Sequence, residues 1–318
     1  MSVGVIAHLE NPTFGDVRDL AIAAELAGAD WLGLPDAFWW RDTWLLVAEA
    51  ARATRALVVG PVVTNPYLRH PFHTVASVAS LQDVAGPRIQ LGLGAGGSEV
   101  TGIAGHDRQD APERIEDLVR LVRRVSDGEP LDDVTGRRLE VALQRPPVLV
   151  AGRASDVLRA AGRVGDRALL WSVPASELAR CVDLVRGGEG ERDGGIASDS
   201  VEIVWAPAVA HDERTRERHL RSFPYAVLNT RAAVQRRWGL EAPDVDRLRR
   251  LVVEGDTASA RELVPQAAVD DLLWLTPDPA ELGERARALG IEGLAVPLYD
   301  IDDVADRVRW ARLVLESR

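Results

Sequence analysis

Glycines crowd into one short run of this sequence, at positions 92, 94, 96 and 97 of LGLGAGGSEV (Leu91 to Val100). Without Cβ atoms, such a run lets a flat ligand approach the backbone and exposes N–H groups that hold an anion. Tight turns with nothing bound use the same residues. A second point of this kind is Ala151-Gly152-Arg153-Ala154, which follows an apolar run and directly precedes a helix. First-turn amides of a helix are unpaired, so a phosphate can rest there, and Arg153 can add a bidentate contact. A dinucleotide fold does not explain either run. Its G-x-G-x-x-G follows the first strand and needs an acid about 20 residues on.

Three side chains near these runs suit proton transfer: His8, Asp36 and Glu99. Each also has a plain structural reading. His8 reads equally as a hydrogen-bonded core histidine, Asp36 as a ring-binding carboxylate or a helix cap, and Glu99 as a solvated loop acid. Trp39 and Trp40, in a loop with Trp44 one turn beyond, suit a wall for a flat ring or an apolar substrate. Arg69 and His70 read as ties between their loop and the next helix, and His106 as a loop histidine. The single cysteine, Cys181, reads as a packed small hydrophobe. One cysteine excludes a disulfide within the chain and a cysteine metal cage, and no metal site is expected. Every basic residue is Arg, which excludes a lysine Schiff base.

The elements that position these residues follow a strand–helix rhythm. Strands are expected at Val3 to His8, Trp31 to Leu34, Ala56 to Val63, Ile89 to Leu93, Val148 to Ala151, Ala168 to Trp171, Val201 to Ala208 and Leu294 to Leu298. Helices are expected at Phe14 to Ala27, Thr43 to Thr54, His73 to Val84, Pro112 to Ser126, Ala154 to Val164, Ser176 to Arg186 and Val304 to Leu315. Leu131 to Leu143 reads as a small hairpin turning at Thr135-Gly136, and Gly187 to Ser198 as a loop. Near-continuous apolar strands alternating with helices predict an α/β fold, a (β/α)8 TIM barrel, with a helical insertion before the last strand at about 212–289. One domain spanning 1–318 is expected. The formal net charge of −11 argues against nucleic acid and anionic membranes as partners. No stretch approaches the roughly 18 apolar residues of a membrane span, and the N-terminus carries no signal-peptide pattern. A cytoplasmic protein acting on a small molecule is expected.

The runs TNPYLRHP, HTVASVASLQDVAG, GPRIQLGLGAGG and VLVAGRASDVLRAAGRVGD together resemble the luciferase-like superfamily. The closest resemblance is to its members that use the deazaflavin coenzyme F420, such as methylenetetrahydromethanopterin reductases. It covers the chain from the first strand to about Leu170 and returns at the last strand. The resemblance implies a homodimeric barrel whose mouth holds the ring. It implies a cis peptide bond between Val62 and Val63, with Thr64 beside it, backing the ring. Gly94, Gly96 and Gly97 would lie near the ring and its arm, Ala151 to Ala154 at the phosphate, and Trp171 with Ser172 near the tail. Relatives often carry Asp-His or Glu-His where this chain has Asp36-Ala37, so His8 or Glu99 must replace the usual proton carrier. Gly97-Ser98-Glu99 and Gly165-Asp166-Arg167 also depart from the pattern. These departures point away from sugar-phosphate or pterin substrates, toward a specialised reductase. Three functions stay open at this point: an F420-dependent oxidoreductase, a monooxygenase using reduced FMN from a separate flavin reductase, and a cofactor binder without catalysis.

Overall fold

The computed structural model describes residues 1–9, 11–192, 200–275 and 277–317, and the side chains of residues 98 and 99 lie outside the description. Strands β1 (Val3–Ala7), β2 (Trp31–Leu34), β3 (Val58–Pro61), β4 (Leu91–Gly94), β5 (Val148–Ala151), β6 (Arg167–Trp171) and β7 (Glu202–Ala206) alternate with helices. These helices are α1 (Phe14–Leu26), α2 (Thr43–Ala53), α3 (Pro71–Ala85), α4 (Ser98–Ile103), α5 (Ala111–Ser126), α6 (Ser155–Val164) and α7 (Leu178–Glu189). Two short strands follow, β8 (Ala208–Ala210) and β9 (Leu273–Leu275), with α8 (Glu213–Leu228), α9 (Ala232–Arg237), α10 (Ala242–Glu254), α11 (Thr257–Glu262) and α12 (Gln266–Leu272) between them. Helix α13 (Pro279–Ala288), strand β10 (Gly293–Leu298) and helix α14 (Val304–Glu316) complete the chain.

The eight longer strands pair in parallel in the order β3-β2-β1-β10-β7-β6-β5-β4. The ends of this series meet through bridges between Val59 and Ile89 and between Thr64 and Leu93, so the sheet curls into the expected TIM barrel. Val59 N–H donates to Arg88 O at 2.8 Å, and Thr64 N–H to Gly92 O at 3.0 Å. Between those bridges the strand bulges. Pro61 has no N–H to give the ladder, and the Val62–Val63 peptide bond is cis, as the resemblance implied. Gly92 accommodates the bulge, since a Cβ there would sit 2.1 Å from the Pro61 carbonyl oxygen.

Period-two alternation divides the strand residues between two cores. Ile6, Trp31, Val62, Leu149, Leu169, Val204 and Ala295 fill the lumen. Val5, Leu32, Val59, Leu91, Val150, Leu170 and Ile203 face the helices. At the amino-terminal mouth Arg167 donates to Glu202 at 2.8 Å and to Gln90 at 3.3 Å, sealing that end.

The structure corrects the sequence reading in four places, the first being the strand expected at Ala56 to Val63, which is confined to Val58–Pro61. The strand expected to run to Ala208 stops at Ala206, because Pro207 breaks the ladder. The chain then re-forms as β8, which pairs with β9 (Ala208 opposite Leu273, Ala210 opposite Leu275) outside the barrel. Leu131 to Leu143 is not a hairpin: Leu131 N–H bonds to Arg137 O at 2.7 Å, but neither arm is a strand. The Asp132 side chain instead holds Val134 and Thr135 in a local turn. Helix α7 continues through Gly187 to Glu189, and residues 193–199 of the expected loop lie outside the described residues. The insertion has an apolar cluster of its own, including Leu220, Phe223, Val227, Trp238 and Leu248.

Candidate active site

Parallel strands bring all their carboxyl ends to one mouth, and the loops that follow them meet there. A cavity of about 740 Å³ opens at that mouth. Ten of the residues singled out in the sequence line it: Val63, Gly94, Gly96, Gly97, His106, Ala151, Gly152, Arg153, Ala154 and Trp171. Gly96 adopts φ +78°, a conformation that favours glycine, and its carbonyl accepts a 2.9 Å bond from Arg108. Val62 packs in the lumen below, and Thr64 is buried beside it.

Arg153 is the unusual charge in this lining. It is half-buried, and its guanidinium has only long contacts, 3.4 Å to Ser172 O and 3.3 Å to Ala226 O. Among the described residues no carboxylate pairs with it. Burial pulls it down to about 10, so it still carries its charge at neutral pH. Helix α6 begins beside it at Ala154, and no side chain caps its first-turn amides. A cation without an anion, next to free N–H groups, is a site suited to a phosphate.

Asp36 stands at the end of β2 and accepts a 2.7 Å bond from the Thr64 hydroxyl. Burial raises its carboxyl above the ordinary value, and the Thr64 bond only partly offsets this. His8, just past β1, sits edge-on to Trp171 with ring centroids 5.7 Å apart. The side chain of Glu99 lies outside the described residues. Trp39 and Trp40 do not line the cavity: Trp39 meets Phe38 and Trp40 edge-on in the loop after β2 and is 42% exposed. Trp44 belongs to the core beneath that loop.

The residues read as structural behave so. Arg69 pairs with Asp42 at 2.5 Å, and Asp42 caps α2. His70 caps α3 by accepting from Phe72 N–H at 3.2 Å. Cys181 is buried, which pushes its thiol up to about 11 and makes it a poor nucleophile. His106, exposed in its loop, does line the cavity. Sequence reasoning missed the far wall, formed by Leu228, Asn229, Thr230 and Arg231 at the end of α8. It is held against the barrel by the buried Glu177, which accepts from Arg231 at 2.6 Å and Arg237 at 3.0 Å. Nothing local in LNTR marks such a role. Among the described residues, no three acidic, His or Cys side chains gather to hold a metal ion, and no helix is long and apolar enough to cross a membrane.

Comparison with known proteins bears on this site. The family model described as luciferase-like monooxygenase matches residues 1–294. The 5,10-methylenetetrahydromethanopterin reductase of Archaeoglobus fulgidus is 22% identical over 284 residues, 85% of each chain. The 4-hydroxyprotoasukamycin monooxygenase of Streptomyces nodosus subsp. asukaensis is 29% identical over 190 residues, half of each chain. The solved structure of the coenzyme F420 dependent tetrahydromethanopterin reductase from Methanopyrus kandleri superposes with a TM-score of 0.80 at 17% identity, covering 100% of this chain and 99% of that one.

Proposed function

Because the chain belongs to the family of luciferase-like monooxygenases, we propose that it is an F420-dependent oxidoreductase that moves a hydride between the deazaflavin and a small organic substrate. The observation that carries this reading is Arg153, a cation without a carboxylate partner beside the uncapped start of α6, at one end of a glycine-lined cavity. That donor set fits a flat ring with an anionic arm. The backbone of Gly94 to Gly97 would take the ring side, and Arg153 with the amides of Gly152 to Ala154 would take the phosphate. When bound, the deazaflavin supplies or accepts the hydride.

The chain's own residues have the remaining tasks. Trp171 and Val63 wall the cavity. Asp36, its carboxyl raised by burial, holds a proton more readily than a surface acid does. His8, edge-on to Trp171 at the mouth, carries a proton. Trp39 and Trp40 form the outer border that a substrate crosses. We also expect a homodimer.

The reductase relative matches 85% of both chains and the monooxygenase relative half, which favours the deazaflavin. That monooxygenase relative supports a second reading, an FMN-dependent monooxygenase supplied by a flavin reductase. Titrating the protein with F420 and with FMN, and following fluorescence quenching, tests both. The first reading expects F420 to bind at about 10 µM or tighter and FMN roughly 10-fold more weakly. Tight FMN binding with oxygen uptake, and no response to F420, would reverse the choice.

A further inference from the structure

The insertion reaches the barrel mouth at a second point, away from the cavity. His219, on α8, is buried. Its Nε2 lies 3.1 Å from the carbonyl oxygen of Val209 on β8, and its Nδ1 lies 3.0 Å from the Tyr299 hydroxyl. A carbonyl oxygen only accepts, so Nε2 carries the proton. Nδ1 is then left to accept, and Tyr299 donates to it. Burial pulls His219 down to about 4, which keeps the ring neutral and this pattern intact at neutral pH.

Tyr299 directly follows β10, so its backbone is fixed by the barrel while its hydroxyl is fixed by the insertion. Arg218, one residue before His219, adds a contact over the Tyr299 ring at 5.9 Å. The ring so held meets His8, with centroids 5.0 Å apart and planes at 65°. Trp171 meets His8 as well, at 88°. Edge-on contacts of this kind have a preferred geometry, so two fixed neighbours select one orientation of the imidazole.

We propose that Tyr299, locked by His219 of the inserted helix, is a positioning residue that sets the orientation of His8 at the barrel mouth. Its meaning for turnover rests on the reading of His8 as a proton carrier. The same helix ends at Leu228, on the cavity wall, about 13 Å along its axis from His219 at 1.5 Å per residue. One inserted element thus shapes the binding wall and holds the ring behind the proton carrier.

Long-range proton–nitrogen NMR of the histidines, in the full chain without cofactor, tests this. The chain has 6 histidines, few enough to assign by substitution. His219 is expected to carry its proton on Nε2 and to stay neutral between about pH 5.5 and 8. Tyr299→Phe keeps the ring and loses the hydroxyl. It is expected to shift the His219 Nδ1 signal and to move the His8 titration midpoint by more than about 0.3 pH unit, a twofold change in proton affinity. His219→Asn retains an acceptor near the place of Nδ1 and is expected to preserve the His8 midpoint, whereas His219→Ala loses it. An imidazole at 219 protonated on Nδ1, or a His8 midpoint indifferent to both Tyr299→Phe and His219→Ala, would overturn the proposal. The same samples are titrated with F420. Absent quenching in the unmodified chain overturns the cofactor reading alone, so the two failures are told apart.

Discussion

Arg167 and Arg153 occupy opposite mouths of one barrel, and the fold treats them in opposite ways. At the amino-terminal mouth, Arg167 bonds to Glu202 at 2.8 Å and to Gln90, so its charge is answered within the chain. At the carboxyl-terminal mouth, Arg153 has only two long carbonyl contacts. An unanswered charge with limited access to water costs stability. The lesson is where to look for chemistry: one mouth is finished by its own side chains, and the other leaves a cation without a carboxylate partner among the described residues.

Substitutions separate the two mouths most sharply. Arg153→Met is expected to weaken F420 binding roughly 100-fold, the loss of a charge-assisted contact, while leaving thermal stability unchanged or higher. Arg167→Met is expected to do the reverse, costing about 2 kcal/mol by stranding Glu202, with cofactor affinity unaltered. Fluorescence titration and thermal melts on both variants read the contrast. If Arg167→Met weakened binding and Arg153→Met only destabilised, the distinction would collapse.

Acid titration comes next. Burial holds His211 and His219 at about 4, below the ordinary value of 6.5. Between about pH 6.5 and 4 the unfolded chain therefore binds more protons than the native one. Stability is expected to fall as the pH drops through that window, by up to about 1.4 kcal/mol per pH unit from His219 and by less from the partly exposed His211. Urea midpoints across the window measure it, and His211→Asn is expected to flatten the slope.

The smallest effect concerns Asp36, whose carboxyl is raised by burial. A raised carboxyl leaves the native state short of stability once the pH exceeds its folded value. Asp36→Asn is therefore expected to raise Tm at pH 7 by about 1–2 °C, with the gain vanishing below the unfolded value of the acid. A fall in Tm would mean that the Thr64 bond to the charged carboxylate outweighs the burial.

Much of the barrel was legible because parallel strands covered on both faces read as apolar runs. Trp31–Leu34 and Val148–Ala151 appear in the structure with the bounds read from the sequence. The failures have local causes. Pro61 and Pro207 sit inside apolar runs, where periodicity sees a strand and the missing N–H ends one. In the site, the glycine run and Ala151 to Ala154 were legible, since their chemistry is written in adjacent residues. Arg231, Tyr299 and His219 were not, since they come together only across long separations. Tyr299 and His219 are 80 positions apart. Trp39 and Trp40 are at the expected strand end, but they do not line the cavity.

The small β8–β9 ladder has a consequence for how such a chain can diversify. The two strands are parallel and three residues long, so the inserted helices depart at Ala210 and return at Leu273, one strand over and two residues back, within roughly 8 Å. They also pack around an apolar nucleus of their own. The clasp makes the whole excursion a cassette. A different one grafted at Ala210 and Leu273 would give a new ceiling to the binding chamber, and would have to restore the contacts that His219 and Arg231 make to Tyr299 and Glu177.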